Sequence, residues 1–106
     1  MKKVTINPGV CGLITHVEAE SEDGMDVTIR IKSDCPSVQK MFAELGDTFD
    51  AFEVCLCRPG KNEFYEYAGK HFPGHAACPV CAGITKCIEA ECKLALPRPA
   101  EIIFED

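Results

Sequence analysis

Two neighbouring runs of period-two alternation constrain this chain more than any other feature in it. Gly12 to Ser21 sets Leu13, Thr15, Val17 and Ala19 on one side against Ile14, His16, Glu18 and Glu20 on the other. Glu22-Asp23-Gly24 supplies turn chemistry, and Asp26 to Ser33 then alternates again, with Val27, Ile29 and Ile31 opposed to Thr28, Arg30 and Lys32. Slipping either run by one residue would turn its whole apolar set into water. The pair therefore predicts an antiparallel hairpin over 12–20 and 26–33 with one buried face.

Helical signals come next. In Asp34-Cys35-Pro36-Ser37, Asp34 or Cys35 fits the N-cap and Pro36 the first helical position, where the missing N–H costs nothing. Val38, Met41, Phe42 and Leu45 then give an apolar stripe that stops at Gly46. Cys78-Pro79 repeats that start, and Val80, Ile84, Cys87, Ile88 and Glu91 or Cys92 mark one face of the longest helix, which Pro97 and Pro99 bar from continuing. The β-branched Ile102-Ile103-Phe104 predicts a closing strand over 101–105. Residues 47–74 alternate in no regular way and give no clear element; if Phe52 to Cys57 is a strand, Cys55 and Cys57 share a face. The expected fold is α+β, a single domain over 1–106, with an antiparallel sheet made of the hairpin plus a C-terminal strand and helices packed on one face.

Charge narrows the partners. Eleven Lys and Arg stand against seventeen Asp and Glu, a net charge of −6. The basic residues are scattered singly apart from Lys2-Lys3, so the clustered cations that release counterions from a phosphate backbone are missing, and neither nucleic acid nor an anionic membrane is an expected partner. No apolar run approaches the ~20 residues that span a bilayer, and Asn7-Pro8-Gly9 interrupts the start before a signal-peptide core could form. A cytoplasmic location is expected. A protein partner or a homodimer stays open.

Eight cysteines, at 11, 35, 55, 57, 78, 81, 87 and 92, in such a chain are read first as reduced thiols or metal ligands. Backbone N–H groups and the positive end of the dipole stabilise a thiolate at a helix N-terminus, and Cys35 and Cys78 are both expected there. Cys11, in Asn-Pro-Gly-Val-Cys-Gly, precedes the first hairpin strand. Should that strand end and the two helix starts meet at one sheet edge, three thiolates are best satisfied by sharing a cation. Zinc or an iron-sulphur cluster is the expected cofactor. Cys81, one turn beyond Cys78, and His75, three residues before it, compete as fourth ligand.

This order of motifs resembles the iron-sulphur cluster scaffold proteins of the IscU and NifU type and the related TSCPD-type cysteine module at the end of some ribonucleotide reductases. In that family a Cys-Gly precedes a strand hairpin, a second Cys follows at a helix start, and a third opens a long later helix close behind a His. Cys11-Gly12, Cys35 and Cys78 with His75 hold those places. The resemblance implies an IscU/NifU-like fold and a cluster or metal site on those residues. Two positions depart from it: Leu13 stands where the scaffold has an acidic residue, and the Leu- and Pro-rich chaperone-recognition stretch ahead of the third Cys is missing. The chain is also similar to a small prokaryotic family built on Cys-Gly, Cys-Pro and Cys-Pro motifs, a resemblance that implies no activity.

Blander readings compete. Cys87 and Cys92 fall beside an apolar helix face and are more simply core, as are Cys55 and Cys57. His16 reads as a solvated strand residue, His71 as a loop residue, and the acids around Asp47 and Glu18 as a soluble surface. No phosphate loop, nucleophile elbow or HExxH occurs, so neither a hydrolase nor a nucleotide enzyme has support. Three functions remain in view: a metal- or cluster-binding module for storage, transfer or structure; a thiol redox protein in which Cys78 attacks and Cys81 resolves; and a metal-free interaction domain.

Overall fold

The computed structural model describes all residues, 1–106. Four strands, β1 (Lys2–Ile6), β2 (Thr15–Glu20), β3 (Asp26–Ser33) and β4 (Thr48–Asp50), form an antiparallel sheet in the order β1-β2-β3-β4. Four helices pack on it: α1 (Pro36–Leu45), α2 (Ala51–Cys55), α3 (Glu63–His71) and α4 (Val80–Glu91). The fold is α+β, as expected.

The hairpin forms with its anticipated faces. Val17 lies opposite Ile31 and Ala19 opposite Ile29, and Thr15, Val17, Ala19, Val27 and Ile29 are buried under the helices. The other face stays open, with Lys3, Glu18 and Arg30 in one cross-strand row and Thr5, His16 and Lys32 in the next. Its turn is tied by hydrogen bonds that its sequence provides. The Ser21 hydroxyl donates to the Asp26 carbonyl at 2.7 Å, and the Asp23 carboxylate accepts from the Met25 and Asp26 amides. Those two amides hold the Asp23 carboxyl below its ordinary value.

The expected closing strand over 101–105 does not form. Ile102, Ile103 and Phe104 lie outside any element and are exposed to solvent. The edge beside β2 is taken instead by β1, whose Lys-Lys-Val-Thr-Ile alternation carries Val4 and Ile6 toward the helices. At the other edge β4 pairs with β3 through Phe49 and Val27.

Residues 47–74 resolve into β4, α2 and α3. Their starts are set by side chains that accept first-turn amides: Asp50 takes those of Phe52 and Glu53, and Asn62 that of Tyr65. Buried Asn62 also donates to the Val54 carbonyl at 3.1 Å and to the Thr85 hydroxyl at 2.9 Å, so one amide links α2, α3 and α4. Phe52 to Cys57 is therefore not a strand, and Cys55 ends α2. Phe42, Phe49 and Phe64 meet in the core with ring centroids 4.8 to 6.1 Å apart.

α4 lies across β1 and β2 at close range. A Cβ on Gly83 would stand 2.5 Å from the Ile6 Cδ1 atom, so a larger residue would have to push the Ile6 side chain aside for the helix to seat this near. The helix runs from the end of β1 at Ile6 to its start, where Glu91 meets the Met1 amino group at 3.3 Å.

Candidate functional site

That direction decides where the thiols go. β1 ends, β2 begins and β3 ends at one end of the sheet, and the start of α4 rests over it through Gly83 and Ile6. Cys11 lies in the 7–14 loop between β1 and β2; Cys35 follows β3 directly; Cys78 lies just ahead of α4. All three sequence-predicted ligands belong to that one end. They are not gathered, however: nowhere does the fold bring three or more Cys, His, Asp or Glu side chains close enough to hold one metal ion.

Each is presented differently. Cys11 is exposed in a turn closed by the Gly12 amide donating to the Gly9 carbonyl at 3.0 Å, with both glycines at positive φ. Cys35 is half-buried as the N-cap of α1, and its side chain caps no amide of the first turn. Its own N–H donates to the Ser33 hydroxyl, which in turn pairs with buried Thr15 at 2.7 Å, so the backbone under this thiol is fixed. Cys78 is half-buried in a turn in which its amide donates to the His75 carbonyl at 3.3 Å.

The competing fourth ligands differ sharply. His75 is exposed, and it shares with Cys78 and Cys81 a cleft of about 390 Å³ between α3 and the start of α4, walled by Tyr65, Ala68 and Phe72. Cys81 is buried there, and its thiol donates to the Phe64 carbonyl at 3.5 Å. Burial, with Cys78 adding a smaller repulsion, pushes its pKa up to about 12. It is a neutral thiol in the resting fold.

The other four cysteines sit elsewhere. Cys87 is buried against β1 and β2, and burial raises it to about 11. Burial also raises Cys92, and lifts half-buried Cys55 to about 12, with Glu89 and then Cys92 and Cys57 adding to it. Cys57 is exposed just past α2. Sequence reasoning did not reach the aromatic walls of the cleft, because Tyr65 and Phe72 belong to α3 and its cap, an element fixed by Asn62 rather than by periodicity.

A comparison with known families now places the chain. It belongs to a family of unknown function, DUF6951, whose model matches residues 2–104. No curated protein and no solved structure matches the chain. No helix is long and apolar enough to cross a membrane.

Proposed function

We propose that this member of DUF6951 is a metal- or iron-sulphur-cluster-binding protein whose ligands are Cys11, Cys35 and Cys78, with His75 as the fourth. The observation that carries this reading is the placement of three separately presented thiols at one end of one sheet, on a loop, a helix cap and a helix approach. Soft thiolates of this kind suit zinc or iron-sulphur clusters. Sulphurs sharing one zinc lie about 2.3 Å from it and so within roughly 4 Å of each other. Binding therefore draws the ligands together, and the glycine-hinged 7–14 loop is the piece best able to travel. Cys35 stands at a helix start whose first-turn N–H groups no side chain caps.

His75 is preferred over Cys81 because it is already in solvent beside Cys78, whereas Cys81 would have to leave the core and lose a proton. An exchangeable histidine suits storage or transfer better than a closed structural site. The reading matches the IscU/NifU resemblance and a reducing cytoplasm. The thiol redox alternative is weaker, since a resolving Cys81 with a pKa near 12 is a slow partner for a Cys78 disulfide.

Protein purified without oxygen tests the proposal by elemental analysis and visible spectrum. About one equivalent of zinc, or cluster absorbance, is expected in the parent chain and in Cys57→Ser. Cys11→Ser, Cys35→Ser and Cys78→Ser should each lose it, and His75→Ala should hold it less tightly against a chelator. Full retention in all three cysteine variants would overturn the assignment.

A further inference from the structure

Other large apolar residues are exposed singly, Val10 and Leu96 among them, but residues 101–106 leave three in a row in water: Ile102 is 89%, Ile103 72% and Phe104 97% exposed. Such a run stands in water only at a cost, and exposed apolar runs mark interfaces. β1 is an outer strand of the sheet, paired on one side with β2 and free along the other. A free edge is a template for an added strand.

The two match in pattern. On β1, Lys3 and Thr5 face the open side, while Val4 and Ile6 face the helices. On an extended 101–106 segment, Glu101, Ile103 and Glu105 share one face and Ile102 and Phe104 the other. Laid along β1 with Ile103 beside Thr5, the second face meets Val4 and Ile6, and the first brings one carboxylate beside Lys3, which already pairs with Glu18 at 3.3 Å and would then stand between two acids. Within one chain the segment stays unpaired. The Leu94 and Ala95 amides fold back onto the Glu89 carbonyl, and Pro97 and Pro99 stiffen the stretch that leads to residue 101.

We infer that residues 101–106 of one copy add as a fifth strand to the β1 edge of a second copy, and that the exchange is reciprocal. Each copy gives one strand and receives one, so the assembly closes as a two-fold dimer. The dimer pairs both β1 edges and covers Ile102 and Phe104 of each copy.

Sedimentation of the full chain over a concentration series tests this. The parent chain should dimerise, and Ile102→Asp with Phe104→Asp should raise the dimer dissociation constant by roughly a hundredfold, the loss of two large buried side chains. Both residues are solvated in the single chain, so the monomer keeps its fold. Lys3→Glu should weaken the dimer several-fold, and adding Glu101→Lys and Glu105→Lys to it should restore association. A parent chain that stays monomeric, a double-Asp variant that dimerises like the parent, or a charge swap without recovery would each overturn the strand exchange. A monomer whose residues 101–106 are nonetheless protected from protease would place the strand on its own edge and overturn the second copy.

Discussion

At the end of the sheet where β1 begins and α4 finishes, Glu91 accepts the Ser21 amide at 3.0 Å and faces the Met1 ammonium at 3.3 Å, while Ser21 ties the hairpin turn. At the opposite end the 7–14 loop is shaped by two short bonds around Gly9, and Cys11, Cys35 and Cys78 are left without a shared partner. One end is locked by charge-assisted bonds and buried apolar contacts; at the other, Ser33 and Thr15 fix the backbone at half-buried Cys35, while a few backbone bonds shape the loops that carry exposed Cys11 and half-buried Cys78. The sheet can thus carry the stability of the fold at one end and leave the other free to change shape.

The largest effect expected from this contrast lies under the locked end. Ile88 is fully buried in α4, and Ile88→Ala should cost about 2–5 kcal/mol, read as a lowered urea midpoint with the slope unchanged.

Glu91→Gln should cost about 1 kcal/mol at neutral pH, because the ion pair and the charged hydrogen bond are only partly shielded from water. Its pH dependence is diagnostic. Burial alone would raise the Glu91 carboxyl, but the Ser21 amide and the Met1 ammonium outweigh it and leave the pKa lowered. A group with a lowered folded pKa stabilises above its unfolded value, about 4.3, and that contribution fades as pH falls through the folded value. The gap between parent and variant should therefore be full at pH 7 and close in acid; a gap that persists there would place its origin in packing.

The open end predicts the reverse sign. Serine caps helices better than cysteine, so metal-free Cys35→Ser should be more stable than the parent by about 0.5 kcal/mol or more, in thermal or urea unfolding. Such a gain would mean the thiol is retained at a cost to the fold. Cys11→Ser should shift metal-free stability by less than about 0.5 kcal/mol, since its side chain is in solvent. A large loss would show the two ends to be less different than their bonding suggests.

The hairpin, its buried face and the helices that follow the two Cys-Pro pairs were legible because alternation and helix-start chemistry are local, although only α1 starts as its motif predicts: Pro79, not Cys78, is the N-cap of α4. β1 was not recognised, although Val4, Thr5 and Ile6 favour a strand, because a five-residue edge strand is chosen by its partner β2 rather than by its own pattern. Ile102-Ile103-Phe104 has equal strand character and no such partner within the chain. Asp50 and Asn62 were legible caps in hindsight, but α2 is one turn long and held by Asn62 from α3, a tertiary bond invisible to periodicity. The candidate ligands were found from motif order alone. What order could not supply was presentation: that Cys81 is buried with its thiol on the Phe64 carbonyl, and that Cys11, Cys35 and Cys78 are not gathered around one point.

The bare contact between Gly83 and Ile6 has a mechanical consequence. α4 is pinned near its first turn by that contact and at its last by Glu91, over a span of about 12 Å. A rod fastened at both ends does not pivot, so any change of shape at the open end of the sheet falls to the 7–14 loop and to the 72–79 turn that carries Cys78.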